Sequence, residues 1–200
     1  MQLLFRKEKV ELGPLPDADL ILDKINGWLG NSYYFSHFVV DGREVYEEPK
    51  EFLLEGLEYI QELVVIARTP NELVNDVLIS AETYLGNAIP ELSILANAFY
   101  NNPTSNTWSN INDMLEGVQW INTILMSIDQ MIEKPRNWGE YLKHNASLEN
   151  ELINLKEAME NSDFVLIADI IQYEILSVFE SLLSEVSKTI DTEGNRHDSN

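Results

Sequence analysis

SDFVLIADIIQYEILSVFESLLSEVSKTI, residues 162–190, carries the densest apolar pattern in the chain. Phe164, Ile167, Ala168, Ile171, Ile175, Val178, Phe179, Leu182 and Val186 recur at helical spacing, and Leu166, Ile170, Tyr173, Leu176 and Leu183 widen the stripe. A helix apolar over so much of its girth is buried against several neighbours at once. At 1.5 Å per residue it would run roughly 42 Å, long enough to be the spine of a bundle. Asp169, Glu174, Glu180 and Glu185 interrupt the apolar run, so it is not a membrane span. Ser162 is the expected cap.

The segments before the spine supply matching faces. Trp138, Tyr141, Leu142, Leu148, Leu152, Leu155 and Met159 predict one helix, with a break allowed near Asn145. Trp108, Ile111, Leu115, Val118, Ile121, Leu125, Ile128 and Ile132 predict a long one, from Thr104 or Ser105 to the stop at Pro135. Within it, Gly117 costs about 1 kcal/mol relative to Ala, which predicts close approach of another backbone. Thr69 caps a further helix with Pro70 at its first position and Glu72 two later. Gly86-Asn87 is read as its end and Pro90 as the start of the next, reaching Tyr100. Short connections make residues 70–190 an antiparallel bundle of about five helices. Residues 191–200 are polar and are expected to form a disordered tail.

Residues 1–69 have a different texture. Gln2 to Leu12 alternates loosely and reads as a strand, broken by Gly13, Pro14 and Pro16. Asp17 caps a short amphipathic helix that stops at Gly30. Tyr33 to Val40, Asp41-Gly42 and Arg43 to Tyr46 form the strongest hairpin signal in the chain. Glu58 to Arg68 fits period 2 and also period 3.6; Val64, Val65 and Ile66 just before Thr69-Pro70 decide for a strand. The fold class is therefore α+β, mostly α: a small N-terminal β-α-β-β-β sheet, then the bundle. Residues 53–60 and 114–121 resemble each other, but their flanks differ, which reads as coincidence.

The chain has 34 acidic and 13 basic residues, net charge −21, yet is 44% hydrophobic. It can build a core, so it is no disordered acidic tail. Such a surface repels nucleic-acid phosphate and anionic lipid and favours basic partners. There is no Cys, so disulfides and thiolate chemistry are excluded. No apolar leader precedes a cleavage site, and the expected location is the cytoplasm.

Catalytic constellations are missing from the sequence. There is no Glu-x-x-His, G-x-S-x-G, P-loop, G-x-G-x-x-G or EF-hand loop. Glu140 and His144 stand one helical turn apart without further ligands and read as a surface pair. His37 reads as a structural histidine in an aromatic strand. No catalytic, cofactor-binding or metal-ligating residue is assigned. Trp108, Glu116, Trp120, Trp138 and Asp169 are the candidate interaction or cleft residues. Core packing is the usual use of Trp at helical spacing, with Trp120 at the helix edge. Asp169 falls on a solvent stripe with Gln172, Glu180 and Ser184; turned inward, it would need Arg68, Arg136 or Lys143, or a raised pKa.

Tyr84-Leu85, Ile89-Pro90-Glu91, Phe99-Tyr100, Trp108, Leu115 to Trp120, Ala158-Met159-Glu160, Asp163 to Leu166 and Ala168-Asp169 together resemble a group of uncharacterised bacterial helical proteins, grouped only as a domain of unknown function. The resemblance covers roughly residues 60 to 185 and implies a mostly helical cytoplasmic protein, with no activity to carry over. The expectation is a non-catalytic protein-interaction module, adaptor or chaperone-like, that binds a basic protein or a second copy of itself, and neither nucleic acid nor membrane. The alternative is a small-ligand or lipid-binding protein with a cavity in the bundle.

Overall fold

A computed structural model describes residues 1–13, 17–55, 59–131 and 133–196. Expectations that fall on residues 14–16, 56–58, 132 and 197–200 lie outside the described residues. The chain divides into two compact units, Met1–Leu73 and Val74–Asn200.

The first unit is a five-stranded mixed sheet in the order β2-β1-β5-β3-β4. Strands β1 (Gln2–Phe5) and β2 (Glu8–Glu11) form a hairpin where one strand was expected. Arg6, at φ 52, turns the chain between them and stacks over Tyr33. Helix α1 (Ala18–Leu29) starts at Asp17, whose carboxylate accepts the Asp19 N–H. The hairpin of β3 (Tyr34–Val40) and β4 (Arg43–Val45) turns at Asp41 and Gly42, both at positive φ, as an Asp-Gly turn requires. After α2 (Pro49–Glu55), residues Glu62–Arg68 form β5, the strand that the Val64-Val65-Ile66 cluster predicted. It lies parallel to β1 and antiparallel to β3. Leu3, Phe5, Phe38, Leu63 and Val65 pack on Ile21 and Ile25 of α1 and Leu53 of α2. His37 is buried, bonded to Ser36 and stacked on Tyr46.

After residue 69 the described residues form five α-helices and a π-helical segment, in keeping with the expected bundle of about five, although their boundaries differ from those expected. Helix α3 runs unbroken from Pro70 to Tyr100, with Pro90 inside it. Proline at 90 removes one hydrogen bond, to the Gly86 carbonyl. Gly86 and Pro90 are both exposed, so water can serve that carbonyl, while Leu85, Leu92, Leu95 and Phe99 keep one buried face. The start is as expected: the Thr69 N–H donates to Glu72 and the Glu72 N–H to Thr69 Oγ1. Helix α4 (Ser105–Asp129) begins with a reciprocal Thr104–Thr107 cap. Helix α5 (Trp138–Glu160) passes Asn145 without a break.

The spine is also not one α-helix. It consists of α6 (Phe164–Asp169), a π-helical segment (Ile170–Ile175) and α7 (Leu176–Glu193). Its cap is Asp163, which accepts the Leu166 N–H, with Ser162 at φ 54 just before it. Buried Ile167, Ile171, Ile175, Phe179, Leu182, Val186 and Ile190 make it the centre of the core. The expected tail is ordered as far as residue 196. Asn195 exchanges two hydrogen bonds with the buried Asn75 side chain, and Arg196 is bidentate to Glu82. These polar residues find partners on α3, which a composition rule does not register.

Candidate functional site

Helix α5 turns back through Asn161–Asp163 and packs along the spine. Between them lies a groove of about 610 Å³. Glu151, Asn154, Glu157 and Ala158 of α5 form one wall, Asn161 and Asp163 close one end, and Leu166, Asp169, Ile170, Tyr173 and Glu174 of the spine form the other. From residue 151 to 161 the α5 wall extends about 15 Å. The floor is apolar, with Ala158 and Ile170 buried and Leu166 43% exposed. Five carboxylates, Glu151, Glu157, Asp163, Asp169 and Glu174, line it, and no lysine or arginine does. Among the described residues no three acidic or histidine side chains converge as metal ligands.

Asp169 sits at the junction of α6 and the π segment and is half-buried. Its partner is the Tyr100 hydroxyl at the end of α3, which donates to Oδ1. That bond pushes the Tyr100 pKa up to about 12. Lys143, one of the partners expected from sequence, pairs instead with Glu140. Tyr173, 64% exposed, follows one turn later on the groove wall.

Of the five candidates, only Asp169 lines the groove. Trp108 packs edge-on against Phe99 and Phe164 at 5.2 and 6.2 Å. Trp138 is buried and donates from Nε1 to Asp129 at 2.8 Å, which holds that carboxyl below its usual range. Trp120 lies at the helix edge, 39% exposed, against Tyr84. Glu116 is exposed on α4. The three tryptophans serve three separate contacts, and none of them lines the groove. Glu174 stood out beside Asp169 as an acid inside the apolar run; Glu151 and Glu157 did not, because the α5 face they share with Ala158 meets the spine only once α5 folds back.

A smaller hollow of about 270 Å³ lies between α3 and α4, lined by Tyr84, Leu92, Leu95 and Met114 with Glu91, Asn110 and Asp113 at its polar side. Burial raises the pKa of Tyr84.

The sequence model of a family described as a domain of unknown function (DUF8042) matches residues 76–185, which span α3 to α7 and include every residue of the groove. No curated protein and no solved structure matches the chain. No helix among the described residues is long and apolar enough to cross a membrane.

Proposed function

Since the chain belongs to the DUF8042 family, whose description names no activity, we propose from the groove that it is a non-catalytic binding module for a basic amphipathic segment of another protein, acting in the cytoplasm. The observation that carries this reading is the composition of the groove: an apolar floor between two acidic walls, without a cation in the lining. A partner helix of about three turns would match its length. Its apolar stripe would cover Ala158, Leu166 and Ile170, while lysines or arginines on its flanks met Glu151 and Glu157 on one side and Asp169 and Glu174 on the other. Electrostatic complementarity of this kind fixes register and speeds encounter.

A chain of net charge −21 attracts any cationic peptide, so the test must separate the groove from the bulk field. An amphipathic leucine–lysine peptide of about 16 residues, long enough to form a helix, is titrated by fluorescence anisotropy. The Glu157→Lys/Glu174→Lys variant is compared with Glu8→Lys/Glu11→Lys, which changes the net charge equally on the first unit. The expected result is a loss of at least about tenfold, some 1.4 kcal/mol, confined to the groove variant. Equal losses in both would remove the reading.

A second reading, small-ligand binding, is supported by the hollow between α3 and α4, whose 270 Å³ suits a ligand of about one ring rather than a lipid chain. A bound small-molecule mass in native mass spectrometry, displaced in a Leu92→Trp variant, would favour it.

A further inference from the structure

We infer that the groove exists because the spine carries one residue more than an α-helix needs, and that this surplus residue sets the spacing of cations the groove accepts; the inference rests on reading the groove as a peptide site. Ile167, Ile171, Ile175 and Phe179 are all fully buried and recur at four-residue steps. The twelve residue-to-residue steps from Ile167 to Phe179 thus make three turns, where an α-helix would take about 11 steps. Beyond Phe179 the buried series continues at Leu182, Val186 and Ile190, in ordinary α-helical steps. The excess is absorbed in the π segment Ile170–Ile175, which leaves α6 and α7 each with its own face on the core.

A π turn is a poor local structure, and such turns occur frequently at functional sites. This one is turned outward at the groove. Tyr173 and Glu174 are exposed and line it, while Ile170, Ile171 and Ile175 stay buried. Bonding from i to i+5 stacks Glu174 one turn above Asp169. An α-helix would set the two about 140° apart. Tyr100 holds Asp169 by one oxygen, so one acid of the row is fixed in place. Two acids in a row along the wall match a partner whose basic residues stand one helical turn apart on one flank.

Deleting Gln172, which is half-buried and does not line the groove, tests this. The buried series then runs at α-helical spacing throughout, so the variant is expected to keep its helical circular dichroism and a cooperative melt. Deleting Ser181, in α7 where there is no surplus to absorb, rotates everything after it by about 100° and is expected to abolish the cooperative melt. The Gln172 deletion should also weaken the leucine–lysine peptide at least about tenfold. Wild-type protein should prefer lysines one turn apart over the same composition with lysines on opposite faces. If the Gln172 deletion unfolds the chain as the Ser181 deletion does, the residue is not surplus and the inference is overturned. If that variant folds and binds the peptide as wild type does, the π turn does not build the site, although the groove reading survives. Absence of binding by the wild type removes the groove reading, and this inference with it.

Discussion

Gly117 shows how a single hydrogen in place of a methyl group shapes the bundle. The glycine is buried in α4, and a Cβ there would overlap the phenol of Tyr84. The close approach expected from sequence is real, but it comes from a side chain rather than a backbone. Gly117→Ala gains helix propensity of about 1 kcal/mol and meets an overpacking cost of about 1–3 kcal/mol. Since the phenol is wedged between Trp120 and Phe179, the cost should win, lowering the urea midpoint. In the Tyr84→Ala background the same substitution should become neutral or stabilising, and the double-mutant cycle measures the difference. Two other tyrosines titrate late. Burial pushes Tyr141 up to about 12, and the Asp169 carboxylate does the same to Tyr100. Both folded-state values lie above the unfolded value of 10.0. Their contribution to stability is therefore whole below pH 10 and is lost as pH rises from about 10 to 12. Denaturant midpoints should fall across that window, and tyrosinate absorbance of Tyr100→Phe should lack one late-titrating group. A curve identical to wild type would contradict the Tyr100–Asp169 bond.

At the scale of elements, the caps at Asp17, Thr69 and Thr104 and the Asp41-Gly42 hairpin were legible because their chemistry is local. Thr104 illustrates it: its N–H donates to Thr107 Oγ1 at 3.0 Å, and its hydroxyl accepts the Thr107 N–H at 3.4 Å. Thr104→Ala should lower stability by about 1 kcal/mol, read from chemical denaturation, with Thr104→Ser close to wild type. Where local and tertiary signals conflict, packing decides. Gly86, Asn87 and Pro90 are the residues that end helices, yet α3 continues, because the buried face from Leu85 to Phe99 is continuous and the lost bond faces water. Gln2–Leu12 split into a hairpin for the opposite reason: Arg6, no usual turn residue, takes a positive φ in a turn only two residues long. The π segment had a signal that a 3.6-residue template blurs, namely three successive four-residue steps between buried aliphatic and aromatic positions.

At the scale of the molecule, the division into a small sheet unit and a helical unit followed from the change in texture near Thr69, and the acidic character followed from composition alone. The site was far less legible. Asp169 stood out because an acid inside a dense apolar run is conspicuous, but it was assigned to bulk solvent, since Tyr100 lies 69 residues away in sequence. Glu151 and Glu157 look like any exposed helix acids until a second helix faces them. Trp108, Trp120 and Trp138 attracted attention for their size, and size here serves packing. The surplus residue of the spine has one more consequence, for comparing relatives. A family member one residue shorter between the positions of Ile171 and Ile175 would build an uninterrupted α-helix there. A single-residue gap in an alignment would then mark the members that lack this wall, a distinction that overall similarity would not draw.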